Sequence, residues 1–253
     1  MNKFSKIEEI RKKIFNGSFS LGSWIQIPNS SIAEIMGNAG YDWVAIDLEH
    51  GSISLNQLPN LFRSLELGET LPLARISDKH YSSIQSALDA GAGGIIVPNI
   101  LNANEMREII KYACWPPSGN RGVGFSRANL FGEKFNDYKK IACSPLVIGM
   151  IEHIEAINNL ESILDIKGLD GIFIGPYDLS ASMNIVGEFN NLEFKKVLDE
   201  VISKTSKAKK FVGIHVVEPN KTDMEKRISE GFNFIANSMD SVFIVKSCQA
   251  PQF

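Results

Sequence analysis

The chain reads as an α/β protein, a TIM (β/α)8 barrel with an extra N-terminal helix, and three observations carry that reading. Eight short β-branched runs recur along the 253 residues, and segments with apolar residues at helical spacing separate them. Several of the runs stop abruptly at acids, an arginine or a histidine. Strands of a parallel barrel are buried on both faces, so they read as nearly continuous apolar runs with the chemistry gathered at their carboxyl ends.

Taken in order, Lys3 to Phe15 has the amphipathic pattern of a helix covering one end of the barrel. Strand one, Leu21 to Ile27, delivers Trp24 and Gln26, and Asn29-Ser30-Ser31 caps a helix that Gly40 stops. Strand two, Trp43 to Leu48, ends in the most informative stretch of the chain, Asp47-Leu-Glu49-His50-Gly51. Strand three, Leu71 to Ile76, brings Arg75, and the following helix around Ile84 to Leu88 ends near Gly91. Strand four, Gly94 to Pro98, is followed by a helix over Met106 to Tyr112 and by the one long irregular stretch, Cys114 to Gly132, with a short helix near Lys134 to Lys140. Strand five, Leu146 to Glu152, and strand six, Gly171 to Pro176, end at Glu152-His153 and at Gly175-Pro-Tyr177-Asp178. Helices follow each, around Ile157 to Leu164 and Phe194 to Ile202. Strand seven, Phe211 to Val216, carries His215; Pro219-Asn220 caps the helix after it, Gly231 stops that helix, and strand eight, Phe232 to Asn237, completes the set.

Composition bounds the function. No linker or composition shift divides the chain, so residues 1–253 read as one domain, with 44% apolar and 22% charged residues supplying an ordinary globular core. No run reaches the roughly 18 apolar residues of a membrane span and the charged start lacks a signal-peptide core, so neither membrane partner nor export is expected and the expected location is cytoplasmic. Cys114, Cys143 and Cys248 are odd in number and far apart, which points to reduced structural thiols. A formal charge of −3 speaks against a nucleic-acid partner. Gly91-Ala-Gly-Gly94 precedes a strand rather than a helix, so it reads as close helix-to-strand packing and not as a phosphate cradle.

The strand ends suggest a chemistry. Glu152 and Asp178, on neighbouring strands, form a carboxylate pair suited to Mg²⁺ or Mn²⁺, with Co²⁺ a further option, because hard cations take oxygen ligands and keep several waters. Arg75, facing them across the barrel, suits a substrate carboxylate or enolate oxygen. No lysine lies inside a strand, which disfavours Schiff-base catalysis and leaves Lewis-acid stabilisation of an enolate as the substitute. Each residue also has a structural reading: Glu152 and Asp178 as acids in a first helical turn, His50, His153 and His215 as hydrogen-bonded histidines, and Asp47 or Glu49 as loop ties. Arg121 and Arg127, flanking Gly122-Val-Gly124, read as interface residues or as anchors of the long loop.

Asp47-Leu-Glu-His-Gly51, Leu73-Ala-Arg75, Leu88-Asp89-Ala-Gly-Ala-Gly-Gly-Ile-Ile-Val-Pro98, Pro116-Pro-Ser-Gly-Asn-Arg-Gly-Val-Gly124, Ile151-Glu-His153 and Gly171-Ile-Phe-Ile-Gly-Pro-Tyr-Asp-Leu-Ser180 resemble, in order, the motifs of the HpcH/HpaI family of metal-dependent pyruvate aldolases, related to citrate lyase β subunits. The resemblance runs from about Gly22 to Phe243. It implies a class II aldolase that cleaves a 4-hydroxy-2-oxo acid to pyruvate and an aldehyde. It also implies that Glu152 and Asp178 hold the metal, Arg75 stabilises the enolate, and His50 with Asp47 as orienting partner forms the base system. Trp24 becomes a pocket wall, the amides around Tyr177 and Asp178 hold the pyruvate carboxylate, and Asp89 completes a neighbouring subunit's site in a homo-oligomer, a trimer of dimers. Met150 stands where many members have Gln, Asn184 where a Gly is common, and His153 and His215 are not general features of the better-known aldolases. An oxaloacetate-type decarboxylase, a citrate-lyase-like acyl-CoA lyase and a non-catalytic carboxylate-binding barrel remain as alternatives.

Overall fold

A computed structural model describes residues 1–250. The elements are α1 (Lys3–Phe15), β1 (Ser20–Ile25), α2 (Ser30–Gly37), β2 (Trp43–Asp47), α3 (Leu58–Leu67), β3 (Leu71–Arg75), α4 (Tyr81–Asp89), β4 (Gly94–Val97), α5 (Ala103–Ala113), α6 (Phe135–Cys143), β5 (Leu146–Ile151), α7 (Ile154–Asn158), α8 (Leu160–Leu164), β6 (Gly171–Ile174), α9 (Pro176–Ser182), α10 (Leu192–Lys207), β7 (Phe211–Val216), α11 (Lys221–Glu230), β8 (Phe234–Met239) and α12 (Asp240–Ser247). The eight strands close into a parallel barrel in sequence order, β8 pairing back onto β1. This is the expected TIM barrel, and no helix among the described residues is long and apolar enough to cross a membrane.

Period-two alternation divides the core into two shells. Trp43, Ala45, Leu71, Leu73, Ile148, Met150, Phe173, Phe211, Phe234 and Ala236 fill the barrel interior. Their neighbours Val44, Ile46, Ala74, Val147, Ile172, Ile174, Val212 and Ile235 face the helices instead. Aromatics dominate the interior: Phe234 stacks on Trp43 with centroids 4.3 Å apart and lies 5.7 Å from Phe211. Room for them comes from glycine, since a Cβ on Gly22 would occupy the space of the Trp43 ring. Below this layer α1 turns Ile7, Ile10 and Ile14 into the same interior cluster and closes the strand-start end. Arg11 pins the helix there by donating to Asp170 at 2.8 Å.

Several local signals act as read, though α2 ends at Gly37 with Asn38 as its cap, ahead of Gly40. Asn29 and Asn220 cap α2 and α11 by accepting backbone N–H groups, and Gly231 ends α11 in the left-handed conformation. Arg121 is buried and touches Asp89 and Tyr138, while Arg127 donates to the Ala90 carbonyl and to Glu66, so both anchor the long loop. Asn184 takes a positive φ of 60°, a conformation that Gly adopts freely and Asn tolerates. Two expectations need correcting. Gly93 and Gly94 pack closely against Leu71 and Leu146 of the flanking strands, so the crowding there is strand to strand rather than helix to strand.

The other correction concerns strand eight, which runs to Met239 instead of stopping at Asn237. Its pairing with β1 slips by one residue, Gly22 opposing Ala236 but Trp24 opposing Met239, so β8 holds one extra residue. Ser238, with φ of 52°, takes up that bulge, which reverses the alternation and turns Met239 inward. Because the aromatic stack is the centre of the interior shell, Phe234→Ala should lower the free energy of unfolding by about 3–5 kcal/mol. Denaturant titration checks this, and a loss below about 1 kcal/mol would mean the barrel tolerates an empty centre.

Candidate active site

The same alternation that sorts the core decides which polar groups face the barrel axis. Counting upward by twos from Trp24, Ala45, Leu73, Met150 and Gly213 gives Gln26, Asp47, Arg75, Glu152 and His215, and all five line one cavity of about 250 Å³ at the carboxyl ends of the strands. His50, Gly175, Tyr177 and Asp178 form its mouth, and Trp24, Met150, Phe173 and Met239 its floor. A larger cleft of about 870 Å³ at the opposite end lies between α1 and the start of β7. Its one acid, Asp170, is already engaged by Arg11.

Asp47 and Arg75 form the rigid centre. The Arg75 Nε–H donates to Asp47 Oδ1 at 2.8 Å and Nη2 donates to Oδ2, a two-point contact made possible because the two residues are register partners on β2 and β3. Gln26 Nε2 donates to Asp47 Oδ2 at 2.9 Å, and the backbone N–H groups of Glu49 and His50 donate to Oδ1 at 3.0 and 3.1 Å. Burial by itself would raise the Asp47 pKa, but Arg75, Gln26 and the His50 N–H outweigh it and hold the carboxyl below its usual value. The expected contact from Asp47 to the His50 ring is not formed. Asp47 holds His50 by its main chain, and the imidazole itself stands exposed at the mouth.

Around this pair lie three acids. Arg75 Nη1 is 3.1 Å from Glu49 Oε2, a charge contact whose angle falls outside hydrogen-bond geometry, so that buried oxygen has no hydrogen-bond donor. Glu152 Oε2 accepts the Asn99 N–H at 2.8 Å, which Asn99 reaches through a positive φ of 50°. Burial raises the Glu152 pKa, the Asn99 N–H partly offsets this, and the nearby charges of Glu49 and Asp178 raise it further. Glu49 is also raised, by burial first, against the pull of Arg75 and His50. No three His, Cys, Asp or Glu side chains converge at metal-binding distance among the described residues. The Glu152 and Asp178 carboxylates, which line one cavity, nevertheless fit a divalent metal ion that takes two protein oxygens and completes its shell with water or substrate.

The remaining expected residues separate cleanly. Trp24 is a floor residue, only 3% exposed, with the Arg75 guanidinium 4.9 Å from its ring centre. Tyr177 stands exposed on the rim. His153 caps α7, its Nδ1 accepting the Glu155 N–H at 3.1 Å, and lies outside the cavity, whereas His215 lines it. Asp89 ends α4 at the far end of its own barrel, beside Arg121, with its pKa raised by burial against the Arg121 charge. Sequence reasoning missed Met239 and Asp240. Asp240 accepts the N–H groups of Gln26 and Ile27 at 2.9 and 3.0 Å and so fixes the end of β1, and an acid opening a helix directly after a strand was the available signal.

Comparison with known proteins places the chain in a family. The family model for HpcH/HpaI aldolase/citrate lyase matches residues 20–247. A hydroxypyruvate/pyruvate aldolase of Roseobacter denitrificans is 30% identical over 243 residues, covering 95% of this chain and 94% of the relative. A 2-keto-3-deoxy-L-rhamnonate aldolase of Klebsiella pneumoniae is 30% identical over 239 residues, covering 94% and 89%. The crystal structure of a HpcH/HpaI aldolase/citrate lyase family protein from Burkholderia cenocepacia superposes with a TM-score of 0.87 at 25% identity, covering 94% of this chain and 95% of that one. With the motifs, the closed barrel and the clustered strand ends in agreement, the chain belongs to the HpcH/HpaI aldolase/citrate lyase family and is a carbon–carbon lyase.

Proposed function

We propose that this lyase works as a class II pyruvate aldolase, reversibly cleaving a 4-hydroxy-2-oxo acid to pyruvate and an aldehyde. The observation that carries the reading is the opposition of Arg75, locked by Asp47, to the Glu152 and Asp178 carboxylates in one small cavity. A cavity of about 250 Å³ suits a short 2-oxo acid with a small aldehyde and speaks against an acyl-CoA thioester. No lysine lines it, so an amine nucleophile has no source there.

Glu152 and Asp178 would hold the ion, Mg²⁺ or Mn²⁺ by their hard oxygen donors. When bound, such an ion supplies Lewis acidity toward the carboxylate and oxo oxygens of the substrate. Tyr177 and Asp178 sit in the first turn of α9, where backbone N–H groups have no partner within the helix and can accept a carboxylate. Arg75 aims its guanidinium at the oxygen that gains negative charge, and its three anchors, Asp47, Glu49 and the Trp24 ring, keep it there without reorganisation. His50 exchanges a proton with the methyl carbon of pyruvate through a water, and returns it to the carbonyl oxygen of the aldehyde as the new bond forms. Asp47 is a positioning residue in this scheme, setting the His50 main chain and the Arg75 fork together.

Assembly belongs to the same proposal. Val123, Phe125, Leu130 and Phe131 stand exposed on the loop that Arg121 anchors beside Asp89. A trimer of dimers that covers this apolar loop and brings Asp89 to a neighbouring site accounts for both.

EDTA should abolish turnover of 4-hydroxy-2-oxo acids and Mn²⁺ should restore it, while borohydride with pyruvate should leave no adduct by mass spectrometry; an adduct would sink the class II reading. In titration calorimetry Glu152→Gln should lose Mn²⁺ binding. Because protons compete for a carboxyl raised above the ordinary 4.5, wild-type affinity should begin to weaken with falling pH before that value is reached. Arg75→Lys should keep metal but lose activity by roughly 10²–10³, the scale of removing one preorganised electrostatic donor; activity within a few-fold of wild type would reassign Arg75 to structure. Sedimentation of the wild type should give a hexamer, and Asp89→Ala should lower activity more than it alters the fold. A fully active monomer would remove the composite-site reading.

A further inference from the structure

One hydrogen bond orients the Glu152 carboxylate: among the described residues the Asn99 N–H, 2.8 Å from Oε2, is its sole donor. The other side of the carboxylate lies against bare backbone. A Cβ on Gly175 would come within 2.6 Å of Glu152 Oε1 and 2.8 Å of its Cγ. Gly175 directly precedes α9, the helix that carries Asp178. Oε2 is thereby drawn toward the loop between β4 and α5, and Oε1 is left on the side of Asp178.

That donor exists only because of an unfavourable backbone. Asn99 stands exposed with φ of 50°, in the left-handed region that residues other than glycine rarely enter. Its side chain makes no hydrogen bond among the described residues, so the site uses its backbone and not its amide. The ties that hold this turn come from outside it. Lys79 Nζ donates to the Asn99 carbonyl at 3.0 Å, the Ile100 N–H donates to the Met150 carbonyl at 3.0 Å, and the Leu101 N–H donates to Glu105 Oε2 at 3.0 Å. Lys79 also donates to that same Glu105 oxygen at 3.0 Å, so one ion pair grips the loop on both sides of Ile100. Lys79 lies on the turn between β3 and α4, just beyond Arg75 and outside the cavity lining. The clamp therefore joins the turn that leaves Arg75 to the carboxylate on the opposite side of the cavity.

We infer that Lys79, together with Glu105, is a positioning residue for the metal ligand: it holds the peptide units around Asn99 in the left-handed turn that aims one N–H at Glu152 Oε2 and leaves Oε1 for the ion. The inference rests on the metal-dependent aldolase reading. A carboxylate free to turn about its side-chain torsions loses that freedom when it binds an ion, whereas one already fixed by the fold does not, and the fixed one binds more tightly. Neither Lys79 nor Glu105 lines the cavity. Removing the clamp loosens the direction of one ligand and takes away no ligand atom.

Titration calorimetry with Mn²⁺ on the metal-free enzyme tests this without recourse to turnover. Lys79→Met should raise the Mn²⁺ Kd about fivefold, the upper scale of a partly exposed ion pair and below the roughly 10–100-fold of a group bonded directly to a ligand. Lys79→Arg, which keeps a donor for Asn99 and a charge for Glu105, should bind more tightly than Lys79→Met. Asn99→Ala should weaken binding about tenfold because alanine resists the left-handed turn, and Asn99→Gly, which adopts it freely, should bind better than Asn99→Ala. An unchanged Kd in Lys79→Met would reduce Lys79 to a surface ion pair and overturn the inference. Equal affinity in Asn99→Ala and Asn99→Gly would overturn it too, since the backbone conformation would then not matter to the ion. Wild-type binding of Mn²⁺ with these variants unaffected removes this inference alone, whereas a wild type that binds no Mn²⁺ removes the metal-dependent reading and this inference with it.

Discussion

The Asp47–Arg75 pair is the constraint on which the site depends, because a carboxylate this deep in the barrel keeps its charge only beside a matching cation. Asp47 is 1% exposed, and an isolated carboxylate so buried would protonate rather than persist. The pair stays charged because every oxygen of Asp47 is used: the Arg75 fork, the Gln26 amide and two loop N–H groups converge on it. One buried acid thereby sets the direction of the guanidinium, the path of the loop carrying Glu49 and His50, and the end of β1. Asp240 adds a second tie to β1 from the far side by accepting the N–H groups of Gln26 and Ile27.

Electrostatics then divides the cavity into two sides. On one side Arg75 is satisfied by Asp47, rests against Trp24 and touches Glu49. On the other, no cationic side chain among the described residues pairs with Glu152 or Asp178, and the Glu152 pKa is raised by burial first and then by the charges of Glu49 and Asp178. Fixed positive charge at one end and unneutralised carboxylates at the other suit the ligand of the proposed function, a chelating 2-oxo acid that arrives together with a cation. The apolar floor between them limits water and strengthens both interactions.

The barrel interior explains how so small a floor is kept. Five aromatic rings, Trp24, Trp43, Phe173, Phe211 and Phe234, fill the volume beneath the strand ends, with Gly22 and Gly213 yielding space to two of them. The β8 bulge is the irregularity on this otherwise regular frame. By adding one residue it turns Met239 inward and aims the Ser238 carbonyl at His215, so a local departure from ladder geometry decides the chemistry of one wall.

Much of this was legible without coordinates, for a physical reason: a parallel strand buried on both faces leaves an apolar run whose end is visible, and a period of two says which terminal residues look inward. Hence the barrel, the cavity membership of Trp24, Asp47, Arg75 and Glu152, and the caps at Asn29 and Asn220 follow from the amino-acid order alone. Only the tertiary structure decided partnerships. That Asp47 binds Arg75 and not the His50 ring depends on the register of β2 against β3, which no local pattern encodes. His153 and His215 are equivalent as sequence signals, each closing a strand, yet one caps a helix and the other lines the cavity because α7 begins immediately after His153. The bulge escaped notice for a related reason: an extra residue in a strand has no period of its own, and it becomes visible only where Gly22 and Trp24 meet Ala236 and Met239 across the closed seam of the barrel.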